Sequence, residues 1–206
     1  MIARVVSFAV VLVGLFVLVV CLAFALASNA SPASALSQPQ PGVSSSGCDP
    51  DWTVVDSPNV SALTGTQLTS VAAVSANDIW AVGYFLSGST FQTFIIRWNG
   101  TAWDIVPSPN VGTSTNLLSK VVAVSANDVW AVGYYFEYDQ GRQITLIMHW
   151  DGTQWNIVPS PSPGPGQDNL SDVAAISGTD LWTVGSSYGS PIILHYSDPC
   201  AAPQLP

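Results

Sequence analysis

The sequence predicts an all-β domain made of three repeats, and three observations carry that prediction. One motif occurs three times, as VSANDIWAVGY (74–84), VSANDVWAVGY (124–134) and ISGTDLWTVGS (176–186). Trp80, Trp130 and Trp182 keep a period, as do Trp52, Trp103 and Trp155, with steps of 50 to 52 residues. Self-similarity at such a period is the signature of a stacked-repeat architecture. Finally, no window beyond the first 27 residues sustains a 3.6-residue apolar period, the mark of a helix. The region from Cys48 to Cys200 is 153 residues long, three times 51, and contains nothing but repeats.

Each repeat reads as four short strands. Residues 71–75 form a run of small side chains that stops at the turn former Ala76-Asn77-Asp78. Residues 79–85 come next, rich in β-branched and aromatic side chains, and a Gly/Ser loop closes them. Residues 93–98 are the third strand, ended by Asn99-Gly100, a strong hairpin signal that Asp151-Gly152 repeats. Residues 103–106 are the fourth, ended by Pro107-Ser108-Pro109, which cannot extend a ladder. RWNGTAWDIVPSPNV (97–111) recurs as HWDGTQWNIVPSPSP (149–163), and DWTVVDSPNV (51–60) is its second half.

Ile79-Trp80-Ala81-Val82 and Phe94-Ile95-Ile96 are apolar on both faces of their strands. A sheet of that kind is sandwiched between neighbours, as propeller blades are. A strand ending in Gly, a loop, a strand ending in an aromatic, a tight turn and a Trp-led strand together resemble the kelch-type (galactose-oxidase-like) β-propeller repeat, over residues 51–196. The resemblance implies propeller-like blades. It departs at one point: the kelch glycine pair is a single glycine here, at Gly83, Gly133 and Gly185.

Propellers typically close with roughly 4–8 blades, and three are present. Residues 52–55 read as a fourth strand and 192–196 as a third, so the two are expected to pair and finish a divided blade. Cys48 and Cys200 then stand where the hairpin turn stands elsewhere, and a disulfide between them replaces it. Such a bridge suits an exported protein, and closing so long a loop contributes on the order of 5 kcal/mol in the chain-entropy model. Three arrangements stay open: a homodimer completing a six-bladed ring, a three-bladed ring, or a β-trefoil of three four-stranded repeats.

Charged residues make up 8% of the chain and hydrophobic ones 48%, which excludes disorder over most of its length. A net charge of −9 excludes the basic stripe that nucleic-acid binding needs. After Arg4, residues 5–27 are an uncharged apolar run ending in Ala25-Leu26-Ala27. Residues 1–27 are therefore a secretory signal or an N-terminal membrane anchor. The domain is expected outside the cell, secreted or tethered to the outer face of the cytoplasmic membrane, with membrane contact only through this segment. Cys21 lies within the run and stays out of the disulfide. Residues 28–47 are a Ser/Pro/Ala-rich linker, 48–200 the repeat domain, and 201–206 a tail.

Repetition separates structural from functional residues. Asp78, Asp128 and Asp180 recur in every repeat, which fits a turn residue and not a catalytic one. The repeated tryptophans, Trp52, Trp103 and Trp155 with Trp80, Trp130 and Trp182, read as core. Arg97, His149 and His195 are expected beside Asp78, Asp128 and Asp180, as polar pairs and not as a metal site, because metal ligands must converge. No catalytic residue, metal or cofactor is assigned. Function is expected where repeats diverge and loops cluster. That face carries Tyr84, Phe85, Tyr134, Tyr135, Phe136, Glu137, Tyr138, Asp139 and Tyr188. Tyr and Phe with few charges suit a carbohydrate or an extended protein ligand. The reading is an extracellular binding or adhesion module. The alternatives are a secreted glycoside hydrolase or lyase working through Glu137, Asp139, Asp168 or Asp172, and a half-propeller that works only as a dimer.

Overall fold

A computed structural model describes residues 51–58 and 65–198. Cys21, Cys48 and Cys200, with the apolar run, the linker and the tail, lie outside the described residues. The chain divides after Thr53, and the unit from Val54 onward holds every strand among the described residues.

That unit is all-β, with three antiparallel sheets, one per repeat. The first is β1 (Gln67–Ser75), β2 (Asp78–Ser87), β3 (Thr90–Trp98) and β4 (Trp103–Ile105). The second is β5 (Asn116–Ser125), β6 (Asp128–Glu137), β7 (Arg142–Trp150) and β8 (Trp155–Val158). The third has three strands, β9 (Asp168–Ser177), β10 (Asp180–Ser187) and β11 (Ser190–Ser197). Each sheet is a meander in chain order, and every ladder joins strands of one repeat. A β-trefoil pairs strands of different repeats into one barrel, so that alternative is excluded.

The sheets stack face to face, because each has two apolar faces. We call the face toward the following repeat leading and the other trailing. Trp80, Val82 and Ile95 on the leading face of sheet one share a core with Leu118, Val121, Val129, Ala131, Leu146, Met148, Trp150 and Trp155 of sheet two. Trp80 is fully buried there, its ring 5.0 Å from Trp150 and 5.5 Å from Trp155. Trp130 and Val132 lead in turn into Leu170, Val173 and Leu181 of sheet three, with Tyr196 5.0 Å from Trp130. First strands lie beside first strands, β5 against β1 and β9 against β5. Trp182 breaks the series: half-exposed, it is not the core residue the repeat pattern predicts.

The expected polar pairs are present in all three repeats. Arg97 donates to both carboxylate oxygens of Asp78, at 2.7 and 2.8 Å. His149 reaches Asp128, and His195 reaches Asp180, each at 2.9 Å. Strand pairing sets Arg97, His149 and His195 opposite Trp80, Trp130 and Trp182. The guanidinium lies 4.7 Å from the Trp80 ring centroid, and the imidazoles stack on their tryptophans at 4.2 and 4.1 Å. Each sheet thus carries a carboxylate, a cation or imidazole, and an indole in sequence. These aspartates are not the turn formers that their place in the motif predicts. Ser75, Ser125 and Ser177 accept the turn N–H groups at 3.3 Å, and Asn99 and Asp151 organise the hairpins between third and fourth strands.

The expected ring-closing pair between 52–55 and 192–196 is not formed. Residues 51–58 carry no strand, Trp52 is 99% exposed instead of core, and β11 is the last strand of its sheet among the described residues. Pro191 supplies a physical reason. At the matching position, Thr93 and Thr145 hold the Pro-Ser-Pro segment that comes after a fourth strand, pairing with Ser108 and Ser160 at 2.8 Å. Thr93 N–H also donates to Asn110 at 2.9 Å, and Thr145 N–H to Ser162 at 3.3 Å. Pro191 has neither a hydroxyl nor an N–H to offer.

The single repeat glycine is explained by a bulge. The ladders shift register between Leu68 and Ser70 and between Leu118 and Lys120, and likewise opposite Gly185. This drives the carbonyls of Gln67, Leu117 and Asn169 into the space a Cβ would need at Gly83, Gly133 and Gly185. A methyl at Gly133 would meet backbone, which cannot rotate away. Gly133→Ala is therefore expected to cost about 1–3 kcal/mol. At roughly 2–4 °C per kcal/mol for a chain of this size, a thermal melt will show it. An unchanged midpoint would mean that the bulge moves freely.

Candidate functional site

The loops do converge on one face, as the repeat pattern predicts. The connector after β4 lies against the β2–β3 and β6–β7 hairpins: Phe91 N–H donates to the Thr115 hydroxyl at 3.3 Å and Phe136 N–H to the Thr115 carbonyl at 2.9 Å. The connector after β8 does the same one repeat on, with Gln143 N–H to the Gly166 carbonyl at 2.8 Å and Tyr188 N–H to the Gln167 carbonyl at 3.3 Å.

Two buried side chains shape those connectors. Asn116, fully buried, accepts from Val111 N–H and donates to the Val111 and Ser114 carbonyls. Asp168 stands at the matching position in repeat three, also fully buried. Its carboxylate accepts from the Ser162 hydroxyl at 2.8 Å and from Gly164 N–H at 3.0 Å. Arg142 reaches the same loop, donating to the Gly164 carbonyl at 3.2 Å. Asp168, named among the acids a hydrolase could use, is occupied in holding backbone. Asp172 faces Lys120 at 3.5 Å, on an exposed pair across the first strands.

The aromatic residues divide into three groups. Phe136, Glu137, Tyr138 and Asp139 come together at the β6–β7 hairpin, whose four-residue tip, Tyr138 to Gly141, is longer than the two-residue tips at Gly88-Ser89 and Tyr188-Gly189. Phe136 and Tyr138 meet edge to face with centroids 4.8 Å apart, and Tyr138 is exposed. Glu137, Tyr138, Asp139 and Gln140 line a depression of about 220 Å³ with Thr113 and Ser114. Tyr188 is exposed on the neighbouring hairpin, at a left-handed φ of 52° beside Gly189.

Tyr84 and Tyr134 form a second group at the strand ends. Tyr84 donates to Gln67 at 2.6 Å and packs edge-on against Phe91. Burial raises the Tyr134 phenol above its ordinary value, and the nearby Tyr84 adds to the shift. Phe85 and Tyr135 are the third group, and their rings lie against sheet faces. Phe85 packs with Phe94 at 6.3 Å, and Tyr135 packs against the core between sheets one and two. Burial, with the charge of Glu137 beside it, raises the Tyr135 phenol, while Arg142 works the other way.

Sequence reasoning missed Thr113, Ser114 and Gln140, because a polar residue in an irregular connector carries no signal until the loop is folded. It also missed Arg142, although its place opposite Glu137 is fixed once the hairpin length is known. Among the described residues no three His, Cys, Asp or Glu side chains converge to hold a metal. An apolar opening of about 80 Å³ lies in the sheet-two to sheet-three seam, and a shallow, mostly apolar one of about 410 Å³ lies along sheet two beside Val111, Tyr135, Ile144 and Ile157.

The Asp168 clip has a pH signature. Desolvation raises its pKa, but hydrogen bonds from Ser187, Ser162 and Gly164 and the Arg142 charge outweigh that and hold it below the ordinary 3.8. A depressed carboxyl contributes stability above its unfolded pKa, and the contribution is lost as pH falls through the folded value. Asp168→Asn is expected to lose about 1–3 kcal/mol at neutral pH. Denaturation of both proteins across the acid range should show the gap closing as pH falls through the depressed folded pKa; a gap independent of pH would contradict the assignment. A scan of protein-family models and a search of the curated proteins return no match to this chain.

Proposed function

We propose that this chain is an exported binding module whose three sheets are propeller-type blades, resembling kelch repeats, that present the hairpin and connector face to a carbohydrate. One observation carries the reading: the β6–β7 hairpin, longest of the three, sets an exposed Tyr138 against Phe136 at the rim of a depression lined by Glu137, Asp139, Gln140, Thr113 and Ser114. An aromatic face takes the C–H side of a sugar ring, and the surrounding carboxylate, amide and hydroxyl groups take its hydroxyls. The opposite face is built of near-identical Ala-Asn-Asp and Asn/Asp-Gly turns, whose hydrogen bonds are used within the turns and on the side chains of Arg97 and Trp150 beside them. Selectivity therefore belongs to the second repeat. Secretion or membrane tethering, which the first 27 residues encode in this reading, sets the module where extracellular glycans are met.

Two tyrosines separate binding from packing. Tyr138→Ala removes an exposed ring, so affinity in a glycan-array screen should fall by about 1–3 kcal/mol, on the scale of a base stacked on an aromatic side chain, with the melting midpoint unchanged. Tyr135→Ala removes a ring packed on the core, so it should lose roughly 2 kcal/mol of stability or more. No glycan binding by the wild type, or binding untouched by Tyr138→Ala, would overturn the proposal.

A further inference from the structure

We infer that the exposed leading face of sheet three is an assembly surface, and that its occupant is strand β1 of a second copy of this chain. The inference does not depend on what the hairpin face binds. It rests on the equivalence of the repeats. Two leading faces are covered in the same way: β5 crosses sheet one, and β9 crosses sheet two. The covering residues match as well, Leu118 and Val121 in one seam and Leu170 and Val173 in the other, none more than 8% exposed.

At both ends of the stack, among the described residues, the corresponding surfaces are open. On the leading side Trp182 is 44%, Val184 43% and Ile193 64% exposed, where Trp80, Val82 and Ile95 are each at 0%. On the trailing side of β1, Leu68 is 41% and Val71 63% exposed. They pair with Gly83 and Ala81, as Leu118 and Val121 pair with Gly133 and Ala131. The trailing residues deeper in sheet one, Ala81, Phe94 and Ile96, are buried with Phe85 and Trp103 packed against them. The open strip is thus confined to the strand that does the covering in the other two seams.

The chain therefore displays an uncovered apolar face and a strip of the shape that covers such a face. Their polar neighbours fit the same geometry. Thr69 donates to the Leu118 carbonyl at 2.8 Å and Val121 N–H to Ser70 at 3.3 Å where β1 meets β5, and Lys120 meets Asp172 at the corresponding place one seam on. One such contact is head to tail. Repeated twice under a two-fold axis it closes, giving six sheets in a ring, within the range of roughly 4–8 that propellers adopt.

Sedimentation of the full chain, extracted in a density-matched detergent, tests this. The wild type should run at twice its 21.6 kDa mass. Ile193→Glu on one surface and Val71→Glu on the other should each abolish the doubled species. Both positions are more than 60% exposed, so circular dichroism should show the fold intact; Val184→Glu is the second variant on the leading face. An equimolar mixture of Ile193→Glu and Val71→Glu should regain the doubled mass, because the mixed pair keeps one unmodified contact. A monomeric wild type would overturn the inference. So would loss of the dimer in Ile193→Glu but not in Val71→Glu, which would mean that two third sheets meet face to face.

Discussion

Each sheet of this protein is apolar on both faces, so no repeat can satisfy itself. That constraint organises the rest of the structure. A unit of some 50 residues is too small to bury a sufficient core alone, and here it has no solvated face to fall back on. Trp80, Val82 and Ile95 leave water only because sheet two arrives with Trp150, Trp155 and Met148. Stability in such a stack is a sum of intrinsic and nearest-neighbour terms, and the apolar surface lies mostly in the second. The composition reflects it: 8% charged residues is what remains when strands cannot alternate apolar with polar.

The polar groups are arranged around that constraint. In every repeat the side chain opposite the repeated tryptophan is an arginine or a histidine, and its charge or N–H is met by an aspartate on the adjacent strand. The flat guanidinium or imidazole stacks on the indole, so a polar group is carried to the edge of an apolar seam without breaking ring packing. On the opposite edge the connectors must leave one sheet and enter the next, and buried Asn116 and Asp168 supply the hydrogen bonds that their backbone loses. With backbone demands met from within, the hairpin tips are free to vary, and the second repeat has used that freedom most.

Much of this was legible in the chain. The three-fold motif with its alternation of turn and strand residues located the strands, although β1 and β5 begin several residues earlier than their small-residue runs. The Asp–Arg and Asp–His pairs came from meander geometry alone, since the end of a third strand must lie beside the start of a second. What could not be read depends on neighbours or on single-residue shifts. Ser75 and not Asp78 makes the turn, a choice between two hydrogen-bonding side chains three residues apart. Trp182 has the sequence context of Trp80 and a different exposure, because burial is decided by whether another sheet comes next. Phe85 and Tyr135 share with Tyr138 the divergent stretch between second and third strands, yet strand alternation turns their rings against sheet faces. Pro191 held a legible warning, since a proline cannot make the contacts Thr93 and Thr145 make at that register.

The repeats hold one another together across the seams, ring against ring. The most direct test is a double-mutant cycle on Trp80 of sheet one and Trp150 of sheet two, whose rings stand 5.0 Å apart. Trp80→Leu, Trp150→Leu and the double variant would be compared by equilibrium denaturation. Aromatic pairs of this kind couple by about 0.5–1.5 kcal/mol beyond their buried area, and ring packing across the seam predicts a coupling of that size. Costs that add to within about 0.3 kcal/mol would show the two sheets to be independent, and would contradict it.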